Sequence, residues 1–264
     1  MLKGALHVHS TYSDGEFTLV ELRRIYLEEG CAFVCMTDHA ESFDPERLGQ
    51  YIEECHALSD EQLCFVVGLE YECEQRMHIL GYGATQLAES KDPEAVIRHI
   101  DQQGAISVIA HPKNDFFEWI RKFEVLPQGI ETWNSKYDGR YAPRPGTFAL
   151  LQEMRERKPE MLSFYGQDLH WKKQFRELFV QLDSPSAKEH DILTALAQGA
   201  FTGIKGDLAL ASSGVVDQEL LTQFGKAHAA SYRMWQFLKQ GKQMMDRAGI
   251  RVPESVKAQL RRIF

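Results

Sequence analysis

His7-Val8-His9, followed by Asp14 and Gly15, is the first stretch of this chain equipped for chemistry. The apolar lead Gly4-Ala5-Leu6 makes it the end of a buried strand, and strand alternation puts His7 and His9 on one face with Val8 opposite. Two imidazoles side by side at a strand end can hold one metal ion, and Asp14 adds a carboxylate just beyond. Alone, such a pair is as readily two polar residues on a solvated face, because short histidine motifs recur by chance. The pattern returns, however. Later apolar runs end in Thr37-Asp38-His39, in Glu70, in His111-Pro112 and in Asp168-Leu169-His170. A carboxylate placed straight after an apolar run must be solvated, paired or metal-bound, since burying it alone is costly. Asp38 reads better as a loop residue or helix cap than as a ligand; His39 reads as a ligand because of its company. His78 stands near the start of another apolar run, where a satisfied core histidine is nearly as good an account.

Bringing these residues together requires alternating strands and helices. Thr18-Leu19-Val20-Glu21 has the form of a capping box, and Leu19, Leu22, Ile25 and Tyr26 repeat at helical spacing up to Gly30. Residues 32–36 form a compact apolar strand. Asp44-Pro45 opens a helix to about Leu58, and Asp92-Pro93 opens one that Gly104 ends. Strands are expected at 63–69, 77–82, 105–110, 129–132 and 161–165, the second of them beside the first because their link is short. Strand, ligand and helix recur without a sequence repeat, which implies a parallel barrel or a doubly wound sheet. In a barrel, the C-terminal strand ends converge on one face, where active sites are built. Further on, 179–182 and 201–204 read as late strands with a helix over 188–198 between them. From Gln218 the chain is rich in helix formers, with Ala227, Ala230, Met234, Phe237 and Leu238 as an apolar stripe, and 253–263 reads as a last basic helix. No linker interrupts the chain, so residues 1–264 are expected to form a single domain with a helical extension from about 217.

Composition narrows the classes. An apolar fraction of 44% suits a globular core, and a formal charge of −8 argues against a surface that coats nucleic acid, though not against a local basic pocket. Met1-Leu2-Lys3 leads into a strand rather than an apolar leader, and no run approaches membrane-spanning length. The five cysteines, Cys31, Cys35, Cys55, Cys64 and Cys73, lack a CxxC pair and read as small buried residues of a reducing cytoplasm.

In their order, His7-Val8-His9, Asp14, Asp38-His39, Glu70, His111-Pro112 and Asp168-Leu169-His170 resemble the PHP (polymerase and histidinol phosphatase) superfamily over residues 2 to about 201. The resemblance implies an α/β fold, a distorted (β/α)7 TIM-like barrel with two or three divalent metals at the strand C-termini. It implies one metal on His7, His9, Glu70 and Asp168, a second on a bridging Glu70 with His78 and His111, and a third on Asp14, His39 and His170. Imidazole and carboxylate together suit zinc, iron or manganese and suit calcium poorly. A bridging carboxylate would let two cations share a water and lower its pKa, while the same cations neutralise charge on a phosphoryl oxygen. Glu70, Asp168 and His170 are therefore the expected catalytic residues. A general acid is unassigned, because His39 and His170 are already expected to be ligands. The stretch from Asn134 to Arg144 offers Asn134, Lys136, Arg140 and Arg144 near the mouth as substrate contacts, the arginine forks suiting phosphate oxygens, with Lys113 and Asn114 as similar candidates; it is equally well a solvated loop paired with surface acids. Gln167 and Ser10 are candidates for orienting ligands.

The expected activity is that of a cytoplasmic metal-dependent phosphoesterase on a small phosphorylated molecule, a phosphomonoester or nucleotide derivative. The rival enzyme reading is an exonuclease or other phosphodiesterase. A metal-binding scaffold without turnover and a hydrolase of carbon–nitrogen bonds are the readings from other classes.

Overall fold

The computed structural model describes residues 1–138, 142–227 and 229–230. Arg140, the stripe residues Met234, Phe237 and Leu238, and the segment 253–263 lie outside the described residues. The chain runs β1 (Leu2–Val8), α1 (Leu19–Glu28), β2 (Phe33–Met36), β3 (Asp38–His39), α2 (Pro45–Ala57), β4 (Cys64–Val66), β5 (Gly68–Glu72), β6 (His78–Tyr82) and α3 (Pro93–Gln102). It continues through β7 (Ile106–Ala110), α4 (Phe117–Ile120), β8 (Gly129–Asn134), α5 (Pro145–Arg155), β9 (Leu162–Gly166), β10 (Phe179–Leu182), α6 (Glu189–Ala197), β11 (Phe201–Lys205) and β12 (Leu208–Ala211).

The helix starts follow the expected chemistry. Thr18 and Glu21 cap α1 reciprocally, with Oγ1 accepting from Glu21 N at 3.3 Å and Oε2 from Thr18 N at 2.9 Å. Asp44 accepts from Arg47 N at 2.8 Å before α2, and Asp92 from Ala95 N at 3.0 Å before α3. Each such cap stabilises its helix by about 1 kcal/mol.

The strands form two six-stranded sheets, β12-β11-β10-β1-β2-β4 and β3-β5-β6-β7-β8-β9. At one seam the sheets are parts of the same strands, for only Thr37 separates β2 from β3 and only Val67 separates β4 from β5. At the other, the segment after β9 bonds to β1, with Gln167 N donating to Leu6 O at 2.9 Å and His9 N to Leu169 O at 3.0 Å. This is a distorted TIM-like α/β barrel.

Within the sheet β3-β5-β6-β7-β8-β9, one strand departs from the all-parallel expectation. β6 is antiparallel to both β5 and β7. A parallel crossover needs a dozen or more residues, and the link from β5 to β6 is far too short for one. The reversal has a chemical consequence: His78, at the start of β6, pairs with Glu72 at the end of β5, so it stands at the end of the barrel where the neighbouring strands finish.

Alternation along the strands sorts the core. Val34 and Met36 of β2 join Leu22 and Tyr26 of α1 and Tyr51 of α2 in one apolar cluster. Phe33 and Cys35 of the same strand fall in the other, with Leu6, Val66, Leu80, Val108 and Trp133. Burying one such aliphatic or aromatic side chain contributes about 1.5–3 kcal/mol. All five cysteines are buried and free, as the scattered spacing implied. The late strands and the helix between them are present, and β12, which the sequence reading missed, pairs with β11 across Gly206. β10 is antiparallel to the first half of β1. The second half of β1 is thereby left for the segment 167–169. Residue 218 begins a helix. Among the described residues no helix is long and apolar enough to cross a membrane.

Candidate metal centre

Glu70 lies in the buried part of β5 and is 1% exposed. Its Oε2 lies 3.4 Å from His7 Nε2, 3.2 Å from His9 Nε2 and 3.4 Å from His39 Nδ1. Its Oε1 lies 2.8 Å from His78 Nδ1 and 3.1 Å from His111 Nε2. Asp168 faces the same space from beyond β9, its Oδ1 3.1 Å from His170 Nδ1 and 3.7 Å from His9 Nε2, its Oδ2 3.7 Å from His111 Nε2. Asp14, half exposed on the loop after β1, reaches His170 Nε2 at 3.2 Å and His39 Nε2 at 3.6 Å.

Ligand-type atoms gather into four overlapping groups, each within 4.8 Å: His9, Asp14, His39 and His170; His7, His9 and Asp168; His7, Glu70 and His111; His39, Glu70 and His78. All nine ligand candidates read from the sequence are included. The grouping differs from the expected one in that His9 also joins Asp14, His39 joins Glu70 and His78, and His111 falls with His7 and Glu70 rather than with His78. Strand reversal accounts for the second difference, since it sets His78 across from Glu72 at the rim.

The donor set fits cations on an independent observation. His7 Nε2, His9 Nδ1 and His9 Nε2 are buried without a hydrogen-bond partner. Buried polar atoms are rarely left so, and each one costs free energy unless something satisfies it. Divalent ions held between these rings and the carboxylates would do so.

Electrostatics agree. Burial works against charge on Glu70 and Asp168, yet His7 and the imidazoles bonded to them outweigh it and hold both carboxyls well below their ordinary values. Burial likewise opposes ionisation of Asp14, but His170 and then His9 and His39 bring it down to about 2. Burial pulls His7 down, and Glu131, Asp168 and Glu70 together raise it well above its usual value. His170 rises to about 9 because Asp14 and Asp168 overcome its burial, whereas burial carries His9 down to about 3. The carboxylates thus stay ionised among these imidazoles.

Backbone strain marks the same residues. His7 has φ 61°, His111 φ 26° and Asp168 φ 52°, a left-handed region that non-glycine residues seldom adopt. At His7 the register of β1 on β2 slips between Ala5 and Val8, so simple alternation does not set the direction of this ring. Glu131 of β8 does. It is fully buried, its Oε1 2.9 Å from His7 Nδ1, and its Oε2 accepts from His111 N at 2.9 Å and from Asn134 Nδ2 at 2.8 Å. The sequence reading missed Glu131; a carboxylate inside the apolar run Gly129-Ile130-Glu131-Thr132-Trp133 was the available signal. A Cβ on Gly166 would sit 1.7 Å from Glu131 Oε1, so glycine is required where β9 passes that carboxylate.

The remaining candidates divide. Asp38 is fully buried and accepts from Ser10 N and Oγ at 2.8 and 2.9 Å and from Ser13 N and Oγ at 3.0 and 2.6 Å. It folds the loop that carries Asp14, a structural role of the kind expected. Ser10 serves that loop, and Gln167 links Tyr26 Oη at 2.8 Å to Leu178 O at 2.8 Å. Asn134 is buried, its Nδ2 3.2 Å from Asp168 Oδ2, which makes it a brace for that carboxylate. Lys136 Nζ lies 3.1 Å from Asp168 Oδ1 and 3.3 Å from His170 Nδ1, inside the centre. Lys113 is exposed, its ammonium 5.5 Å from the Phe116 ring.

Arg144 is engaged with protein: its Nε bonds Asp138, its Nη1 Asn114 Oδ1 at 3.2 Å and its Nη2 Pro112 O at 2.9 Å. Burial raises Asp138 to about 6 against the pull of Arg144. Removing the arginine strands that carboxylate, so Arg144→Ala should lose about 3 kcal/mol, the low end for a broken buried pair because the guanidinium is partly exposed. An aspartate whose folded pKa exceeds its unfolded value contributes stability at low pH that is lost as pH rises through about 6. Denaturant melts should therefore show a larger deficit at pH 8 than at pH 5; an equal deficit at both would mean that Asp138 does not feel the loss.

The PHP domain family model matches residues 5–137, half of the chain, and the chain belongs to the PHP domain family. In fold it is similar to a two-domain protein from Bacteroides vulgatus containing a predicted PHP-like metal-dependent phosphoesterase, with a TM-score of 0.55 at 17% identity, covering 85% of this chain and 69% of that one. It is also similar to PsfC from Pseudomonas syringae PB-5123, with a TM-score of 0.50 at 15% identity over 87% of this chain and 98% of that one. A stretch of 66 residues, 23% of the chain, is 38% identical to the DNA polymerase/3'-5' exonuclease PolX of Bacillus subtilis (strain 168), of which it spans 12%.

Proposed function

We propose that this chain is a metal-dependent phosphoric ester hydrolase acting on a small phosphorylated substrate, a phosphomonoester or nucleotide derivative. The observation that carries the reading is Glu70, whose two oxygens face the imidazoles of His7, His9, His39, His78 and His111. Such a carboxylate is built to be shared between cations. Two or three divalent ions, zinc, manganese or iron, would be held by His7, His9, Asp14, His39, Glu70, His78, His111, Asp168 and His170. Bound there, they supply Lewis acidity and lower the pKa of water.

The protein's own groups prepare that chemistry. Glu131 holds His7 in the tautomer whose Nε2 is free to ligate, and Asn134 braces both Glu131 and Asp168. Lys136, beside Asp168 and His170, brings a positive charge to the place where phosphoryl oxygens would sit. With Glu70, the residues Asp168 and His170 form the proposed catalytic set. Among the described residues, Lys113 is the remaining candidate for a phosphate at the rim. The five buried, free cysteines support a cytoplasmic location.

The short match to a polymerase and exonuclease supports a phosphodiesterase as the second reading. Phosphate release from phosphomonoesters, nucleoside bisphosphates and short oligonucleotides, assayed after reconstitution with each metal, separates the two. We expect more than one ion per chain and turnover of the small substrates. Turnover of oligonucleotides alone would favour the second reading. Full metal content with no turnover of any substrate would leave a binding scaffold.

A further inference from the structure

Two exposed aromatic rings flank the candidate centre. Among the described residues the large apolar side chains left exposed are Met1, Val20, Tyr137, Trp171 and Val215, and of these only Tyr137 and Trp171 are aromatic. Tyr137 is 54% exposed, and its ring centroid lies 4.5 Å from that of His111. Trp171 is 41% exposed, 5.6 Å from His170. A single exposed aromatic needs no explanation. Two, each against a different imidazole of one cluster, do.

Their backbones are tied down. Tyr137 N and Lys136 N both donate to Asn134 Oδ1 at 3.0 Å, and Asp138 closes the same turn by accepting from Asn134 N at 2.8 Å. On the other side Trp171 N and His170 N donate to Gln174 Oε1 at 3.2 and 3.3 Å, while Lys172 N donates to Glu16 Oε2 at 2.8 Å. Glu16 N in turn donates to His170 O at 2.6 Å. A ring on a fixed backbone loses little freedom when something stacks on it, so it binds a flat partner at low entropic cost. Lys136 Nζ stands 5.0 Å from the Tyr137 ring and Lys173 Nζ 5.3 Å from the Trp171 ring, which places a positive charge beside each face. Flat apolar faces beside ammonium groups suit a molecule that is planar in one part and anionic in another.

We propose that Tyr137 and Trp171 are stacking walls that select phosphorylated substrates carrying a planar unsaturated ring, a nucleotide base among them, over sugar or polyol phosphates. This rests on the phosphoesterase reading for the reacting group, but the stacking itself does not require turnover. Stacking of a base on an aromatic side chain changes affinity by roughly five- to a hundredfold when the side chain is truncated.

AMP and ribose 5-phosphate, which share the phosphate and sugar and differ in the ring, are the probes. In the metal-loaded protein, AMP should bind more tightly than ribose 5-phosphate by calorimetry and have the lower KM. Trp171→Leu and Tyr137→Leu should each shrink that preference at least fivefold, acting on KM rather than kcat, and the double variant should nearly abolish it. Trp171→Phe and Tyr137→Phe, which keep a ring, should restore most of it, as a merely structural role would not require. Ring-dependent binding without phosphate release would uphold the stacking walls and overturn the phosphoesterase reading. Equal handling of both probes by wild-type protein, or a preference unmoved in the double variant, overturns the proposal whether or not phosphate is released.

Discussion

Glu70→Gln should lose at least one metal ion and slow turnover on the order of a thousandfold, comparable to removing a principal electrostatic stabiliser. The carboxylate sits between two sets of imidazoles, with Oε2 toward His7, His9 and His39 and Oε1 toward His78 and His111. Glutamine keeps nearly the same shape, but it removes the negative charge and turns one oxygen into an amide nitrogen that cannot ligate. Whichever way the amide turns, one set of rings loses its shared oxygen. The fold should persist, because the apolar residues Leu63, Phe65, Val67 and Leu69 are untouched and fully buried or nearly so. Metal content by elemental analysis, with turnover and circular dichroism on the same preparation, checks it. Wild-type metal content and rate in a folded variant would move the centre of the mechanism away from Glu70.

Glu131→Gln should weaken metal binding by about ten- to a hundredfold although Glu131 is not itself a proposed ligand. Its two oxygens have three partners: His7 Nδ1 on one, His111 N and Asn134 Nδ2 on the other. If the amide oxygen keeps His111 N and Asn134, the amide NH2 faces His7 Nδ1 and moves the ring proton to Nε2, the atom needed for a metal. If the amide flips, its NH2 meets two other donors in a buried space. Leaving buried donors unmatched costs about 1–3 kcal/mol, so the melting temperature should fall as well. Competitive metal titration against a chromogenic chelator gives the affinity. An unchanged affinity, with the stability loss alone, would make Glu131 a packing residue and leave His7 oriented by its backbone.

The local grammar was legible because it depends on neighbours in sequence. Thr18 with Glu21, Asp44 with Pro45 and Asp92 with Pro93 marked helix starts that depend only on bonds within a single turn. The recurrence of ligand-type residues after apolar runs pointed to convergence, since a barrel collects strand ends at one face. What escaped was whatever depended on a partner far along the chain. Arg144 looked like a phosphate fork, but Asp138, Asn114 and Pro112 take up its guanidinium. Asn134 looked like a substrate contact, and it is placed between two carboxylates.

From the sequence alone came the α/β class and the ordered set of imidazoles and carboxylates, because spacing along strands carries that information directly, and it was that ordered set which resembled a known family. Tertiary structure alone decided how those residues combine. The hairpin from β5 to β6 is too short to cross over, so β6 runs backwards and delivers His78 to the shared rim. The register slip in β1, with a left-handed backbone at His7, leaves the aim of that ring to Glu131, which lies 124 residues away. No local pattern encodes such a pairing. It exists only once the seam between β1 and the segment after β9 has brought those strands together, because a hydrogen bond is specified by position in space and not by distance along the chain.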